Sequence, residues 1–185
     1  TAAYYGIPLS EIDWIRIDDE AQYEKVLTYD VSTLEPQLSC PQGVDNVYPI
    51  SEVLGTPMDE VYIGSCTNGS LEDLKAAADI LRGKKVANHV RVIVVPATNT
   101  VFKEAIEKGY IKDFIEAGCV ISHPCCGLCC GMPYGLMYDD ERILLTANRN
   151  FIGRQGTKKT LGYLSSPAVA AATALTGVVT DPRTL

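Results

Sequence analysis

No stretch of about 18 consecutive apolar residues occurs in the chain, and no charged segment followed by an apolar one stands at its start. A helical membrane span and a secretory leader are therefore not expected, and the chain is read as soluble and cytoplasmic. Basic residues are also scarce: 16 Lys and Arg stand against 23 Asp and Glu, a formal charge of −7. Nucleic-acid binding rests on clustered cations that neutralise phosphates. No basic stripe is present, which excludes that class of partner. Internal repeats and low-complexity tracts are missing as well. Histidine is limited to two residues, His89 and His123. His89 precedes a strand on a solvated turn; His123 stands near Cys126, placed either to tune a bound group or as a plain loop residue.

Cysteine is what the chain has in excess, seven in all, with five between Cys119 and Cys130. An odd count concentrated in this way suits metal ligation better than a disulfide framework in a reducing compartment. Cys126-Gly127-Leu128-Cys129 is a C-x-x-C, a spacing shared by zinc sites, redox dithiols and iron–sulfur sites. Zinc wants four Cys or His ligands, and the others close by are Cys125, Cys130 and His123. A dithiol of thioredoxin type would leave Cys66 without a role. Inert burial suits single cysteines such as Cys40 and Cys119, but it is a poor account of four cysteines in the six residues 125–130.

With 46% hydrophobic residues the 185-residue chain can build one sizeable core. Residues 1–56 are rich in Pro, Ser, Tyr and acids, with breakers at Leu34-Glu35-Pro36-Gln37 and Cys40-Pro41-Gln42-Gly43. They read as an irregular approach segment with short strands, packed on the same domain as residues 57–185. Within 57–185, Val61-Tyr62-Ile63-Gly64 reads as a strand. Leu71, Leu74, Ala78 and Leu81 then fall on one helical face. Residues 90–95 form the continuous apolar run of a buried parallel strand. Helices over 98–108 and 111–117 are stopped by Gly109 and Gly118, and residues 119–121 and 143–146 are further strands. Ser166-Pro167 opens an Ala-rich helix over 168–175 that Gly177 closes. This alternation predicts an α/β fold, a three-layer α/β/α domain with a mostly parallel sheet. Cys66, residues 125–130 and residues 148–154 each follow a strand. All three should lie on the carboxyl-terminal edge, where such sheets bind ligands.

In Asn148-Arg149-Asn150-Phe151-Ile152-Gly153-Arg154, two guanidinium groups flank a turn at Gly153, and each can hold a carboxylate through two parallel N–H bonds. The alternative is that one arginine caps a helix or pairs with Asp139, Asp140 or Glu141.

Ile63-Gly64-Ser65-Cys66-Thr67-Asn68-Gly69, the C-x-x-C and this arginine segment occur in that order. Supporting stretches are Leu34-Glu35-Pro36-Gln37, Val44-Asp45-Asn46-Val47 and Ser165-Ser166-Pro167-Ala168-Val169-Ala170-Ala171-Ala172. Together they resemble the aconitase and isopropylmalate isomerase superfamily over about residues 24–182, and most closely its archaeal-type isopropylmalate isomerase and homoaconitase large subunits. The resemblance implies an aconitase-like domain and hydro-lyase activity on a 2-hydroxy di- or tricarboxylic acid. An isopropylmalate-type acid comes first, with homoaconitase, aconitase or dimethylmalate-type hydratase activity behind it. It implies that Cys66, Cys126 and Cys129 ligate three irons of a [4Fe–4S] cluster whose fourth iron is open to substrate. Asn148 would support the cluster by hydrogen bonding, and Arg149 and Arg154 would hold substrate carboxylates.

The chain departs from the family pattern where Cys125 and Cys130 flank the C-x-x-C, in place of Gly and of a small or aliphatic residue, and where Leu128 replaces a common Pro. Cys125 or Cys130 could therefore replace a ligand or cap the open iron. No base for the carbon proton is identified. In the family it is a serine of a swivelling small domain, while histidines and carboxylates come from the amino-terminal part of the large subunit. The implied partners are thus a small swivelling subunit or domain and a missing N-terminal portion. The chain opens Thr-Ala-Ala, and residues 4–7 do not open an element, in keeping with a longer parent. A non-catalytic iron–sulfur or zinc-binding module is the rival of another class.

Overall fold

A central sheet organises the computed structural model, which describes residues 7–8, 17–131 and 134–185. Its strands are β1 (Gln37–Ser39), β2 (Val47–Pro49), β3 (Glu60–Gly64), β4 (Arg91–Val95), β5 (Val120–Ile121), β6 (Arg142–Leu145) and β7 (Leu161–Leu164), in the order β2-β1-β7-β6-β3-β4-β5. β3 to β7 pair in parallel, and β1 is antiparallel to both β2 and β7. From β3 the chain runs outward through β4 to β5, then returns across β3 to β6 and β7. The helices are α1 (Ile50–Val53), α2 (Leu71–Leu81), α3 (Asn99–Glu107), α4 (Tyr110–Ala117) and α5 (Pro167–Thr176).

By contacts the chain divides into Thr1–Leu34 and Glu35–Leu185. In the first unit the described residues form turns, such as the Ala21 amide donating to the Asp18 carbonyl at 3.0 Å; the opening Thr-Ala-Ala lies outside them. The change of composition at residue 56 falls inside the second unit, because β1 and β2 already belong to the sheet.

Alternation along the strands sorts the core into two halves. Val61, Ile63, Val92, Val94 and Leu144 meet Leu74, Ala78 and Leu81 of α2, Phe114 of α4 and Val169 and Ala170 of α5. Tyr62, Ile93, Val95, Ile143 and Leu145 face the other way, onto Leu128, Cys129, Met137 and Ala147. The strands are buried on both sides, as their unbroken apolar runs require. The α/β class and the mostly parallel sheet are those expected, consistent with a three-layer aconitase-like domain. Among the described residues, one outer layer consists of helices and the other of loops and the cysteine-bearing turn.

Local sequence sets the helix ends. Ser70 and Asp73 form a capping box on α2: the Asp73 amide donates to Ser70 Oγ (3.3 Å) and the Ser70 amide to Asp73 Oδ2 (3.0 Å). Ser166 caps α5 ahead of Pro167. β7 escaped the sequence reading because its four residues include Gly162 and follow a polar Thr-Lys-Lys-Thr stretch.

Glu60, the first residue of β3, is wholly buried. Arg91 Nε donates to its Oε2 at 2.9 Å while the same guanidinium reaches Glu141; Oε1 has no partner among the described residues. Burial pushes this carboxyl from 4.5 up to about 7, with Arg91 opposing the rise. Between these values the folded chain holds more protons than the unfolded one. The contribution to stability is therefore full below the lower value and lost as pH rises through the upper one. Urea unfolding at about pH 5 and about pH 8 should show a fall of up to about 3 kcal/mol from this group. Glu60→Gln should flatten the dependence, and identical pH profiles for the two proteins would assign the titration elsewhere.

Candidate functional site

Three segments leave the carboxyl ends of parallel strands, after β3, β5 and β6. In the first, the backbone reverses sharply, with positive φ at Gly64 (93°), Ser65 (136°) and Asn68 (56°). A Cβ on Gly64 would stand 2.0 Å from the Val95 carbonyl oxygen, so this turn packs directly on the end of β4. The Gly64 amide donates to Thr146 Oγ1 at 2.7 Å, and Asn68 Nδ2 donates to the Thr146 carbonyl. Cys66 is exposed between these fastenings.

The second segment carries Cys126 into a one-turn 3-10 helix, Gly127–Cys130, closed by the Cys129 amide on the Cys126 carbonyl at 3.1 Å. The glycine inside the C-x-x-C is dictated by Tyr62. This wholly buried side chain reaches up from β3, so that a Cβ on Gly127 would lie 2.3 Å from its hydroxyl oxygen. The same hydroxyl donates to the Cys126 carbonyl at 3.4 Å.

The thiols are sorted by this turn. Cys126 and Cys130 are exposed, Cys129 is buried, and Cys125 is half-buried with its sulfur 3.7 Å from Ser122 Oγ. The Cys126 thiol pKa is pushed up first by the neighbouring Cys66 and then by Cys130, with Cys129 adding to it. The three residues expected to act as ligands therefore share one neighbourhood. Cys40 and Cys119 are buried away from it, and burial pushes the Cys119 thiol up to about 12. No three His, Cys, Asp or Glu side chains among the described residues converge as the ligands of a single ion do. Thiolates that each take a different iron of a cluster need no such common point.

In the third segment, buried Asn150 anchors the loop, its Nδ2 donating to the carbonyls of Cys40 (2.9 Å) and Gly162 (3.1 Å). Gln155 Nε2 donates to the Arg149 carbonyl at 2.8 Å. Arg149 and Asn148 are exposed, and Arg149 Nη1 donates to the Asn148 carbonyl at 2.7 Å. Arg154 is half-buried: its Nε donates to the Cys129 carbonyl at 2.5 Å and its guanidinium carbon sits 5.2 Å from the centre of the Phe151 ring. The third segment is thereby bonded to the second, as Thr146 bonds it to the first. Among the described residues neither arginine pairs with a carboxylate. Glu141 is taken by Arg91 (3.1 Å) and Asp139 by Lys159 (2.9 Å).

His123 is exposed beside the turn, its ring edge-on to Phe102 at 5.8 Å. His89 lies against Gly177, beyond the end of α5. Sequence reasoning missed Tyr62, Asn68, Thr146 and Asn150, which hold the segments together. Asn68 and Asn150 lie inside the motifs quoted above, whereas Tyr62 and Thr146 carry no signal beyond strand propensity.

A family model described as the aconitase family (aconitate hydratase) matches residues 51–177. The chain is 48% identical over 178 residues to the probable 3-isopropylmalate dehydratase large subunit of Methanosarcina mazei, covering 96% of this chain and 42% of that one. It is 50% identical to 3-isopropylmalate dehydratase large subunit 1 of Archaeoglobus fulgidus (94% and 41% covered), and 51% identical to the 3-isopropylmalate dehydratase large subunit of Geobacter metallireducens (95% and 41%). The chain thus spans about two fifths of the length of these relatives.

The packing of the first segment makes one glycine indispensable. Gly64→Ala should cost more than about 2 kcal/mol in urea unfolding, since it combines a left-handed φ with a backbone clash. Gly83→Ala, with φ of 71° and nothing within 4 Å of its Cβ, should cost only about 1 kcal/mol. Equal losses would mean that the close approach to Val95 contributes nothing.

Proposed function

The chain belongs to the aconitase family, and on that premise we propose that it is the cluster-bearing part of a cytoplasmic hydro-lyase acting on a 2-hydroxy di- or tricarboxylic acid. 3-Isopropylmalate is the substrate put first, because that acid stands in the names of the relatives above. Turnover belongs to an assembly of this chain with the remainder of a large subunit and a small swivelling subunit. The observation that carries the reading is the composition of one sheet edge: three segments leave it carrying Cys66, the pair Cys126 and Cys129, and two guanidinium groups without carboxylate partners among the described residues, of which Arg154 is bonded to the Cys129 carbonyl.

Cys66, Cys126 and Cys129 would hold a [4Fe–4S] cluster as thiolates, and the donor set suits it, since soft sulfur ligands select iron–sulfur clusters. When bound by three thiolates, such a cluster supplies an iron with a free position, a Lewis acid for the substrate hydroxyl. Arg149 and Arg154 neutralise and orient the carboxylates through paired N–H bonds. The Cys129 carbonyl and the Phe151 ring support the Arg154 plane, so the clamp and the thiol turn are set by one another. Asn148 offers an amide for a hydrogen bond to the cluster. No residue of this chain is assigned as the base that takes the carbon proton; that role goes to the small subunit.

Protein prepared without oxygen under iron-replete conditions should be brown and contain iron and acid-labile sulfide. Both should be lost in Cys66→Ser, Cys126→Ser or Cys129→Ser and kept in Cys40→Ser and Cys119→Ser. Stoichiometric zinc without sulfide would reject the reading. In the assembled enzyme, Arg149→Lys or Arg154→Lys should weaken substrate binding by about 1.5–3 kcal/mol each while leaving the cluster spectrum unchanged, because lysine keeps the charge and loses the fork. Unaltered kinetics in both variants would return the arginines to a structural role.

A further inference from the structure

Gln155 follows the arginine loop directly and has no part in the chemistry proposed above, yet it is only 2% exposed. Buried amides of this kind are bonded. Its Nε2 donates back across six positions to the Arg149 carbonyl at 2.8 Å. Its own backbone is fixed from another side: the Gln155 carbonyl accepts the Met137 amide at 3.0 Å, and a Cβ on Gly156 would stand 2.2 Å from the Met137 carbonyl oxygen. The side chain then passes over β7 at Gly162, where a Cβ would lie 2.8 Å from Gln155 Oε1. The glycine that interrupts β7 leaves the room that this amide fills.

These contacts make Gln155 a strut between the two guanidinium groups. Arg154 is its chain neighbour and is held by the Cys129 carbonyl and the Phe151 ring. Arg149 is its hydrogen-bonded partner, so the loop from 149 to 155, with its turn at Gly153 (φ 77°), is a ring closed by one side chain. The Arg149 side chain itself is exposed and donates to the Asn148 carbonyl beside it at 2.7 Å. Its backbone is therefore what the fold controls: Gln155 grips the Arg149 carbonyl, and buried Asn150 ties the next residue to the carbonyls of Cys40 and Gly162. A two-pronged bond to a carboxylate needs the guanidinium plane aimed as well as its charge nearby.

We propose that Gln155 is a positioning residue for substrate binding: it fixes the backbone from which Arg149 reaches a carboxylate, and with it the span between the Arg149 and Arg154 forks. The proposal rests on the reading of Arg149 as a carboxylate-binding residue. A fork that holds a carboxylate in the bound substrate holds it in the transition state too. Loss of its support is therefore a loss of uniform binding, which raises KM and leaves kcat in place.

The test is steady-state kinetics of the assembled enzyme with 3-isopropylmalate. Gln155→Met keeps the length of the side chain and removes the donor; Gln155→Glu keeps the shape and sets an acceptor against the Arg149 carbonyl. Each should raise KM by about five- to tenfold, as the loss of one hydrogen bond does, with the cluster spectrum unchanged and kcat within about twofold of wild type. Arg149→Lys leaves a point charge on a flexible stem that needs no aimed plane, so adding Gln155→Met to it should raise KM by less than about twofold more. If Gln155→Met does not fold, Gln155→Glu serves in the same double variant. A wild-type KM in the Gln155 variants, a kcat that falls as far as KM rises, or the full further rise in the double variant would overturn the positioning role. An unaltered KM in Arg149→Lys would instead remove Arg149 from the carboxylate clamp, and this role with it; a raised KM there and none in the Gln155 variants would remove Gln155 alone.

Discussion

Parallel strands that stop together leave backbone groups without ladder partners, and buried groups of that kind must be satisfied by something else. At the carboxyl edge of this sheet Thr146 meets the need. Wholly buried just past β6, it accepts the Gly64 amide on its hydroxyl and Asn68 on its carbonyl. The loop that carries Cys66 and the loop that carries the arginines are thereby two ends of one hydrogen-bonded connection. Arg154 extends it to the cysteine turn through the Cys129 carbonyl, and Tyr62 supports that turn from below. Three segments far apart in sequence are positioned by a few bonds between side chains and backbone, with no α-helix among them.

Charge distribution follows the same economy. The chain is acidic, yet on its helical face cations and acids are matched locally, as with Lys75 and Asp79 (2.5 Å) or Arg82 and Asp113 (2.9 Å). Such exposed pairs contribute little to stability. The acids near β6 and β7 are likewise engaged, by Arg91 and Lys159, and among the described residues the two guanidinium groups of the third segment have no carboxylate partner.

Most strands and helices could be read from the sequence because their apolar periodicity was strong and their caps conventional, as for α2 with Ser70 and α5 with Ser166 and Pro167. β1, β2 and β7 are short, β2 ends in Pro49 and β7 contains Gly162, so their pairing is a tertiary outcome that local pattern does not encode. The cysteine and arginine motifs were legible as motifs. The exposure of adjacent thiols was not: Cys129 is buried and Cys130 exposed, a difference set by the pitch of one turn and by Tyr62 beneath Gly127. Nor could Glu60 be foreseen as a buried acid, since it is the polar first residue of an otherwise apolar strand.

The two faces of the sheet are covered by different materials, and this bears on the order in which the molecule can be assembled. Helices α2 to α5 close one face with cooperative, many-residue contacts, whereas among the described residues a short turn and loops cover the other. Opening free energies within a protein range from near zero in loops to the global value in the core. The loop side can therefore part while the helical side stays closed. The cluster proposed above would on that account be inserted late, into a chain that is already folded, and be withdrawn again without the scaffold passing through the unfolded state.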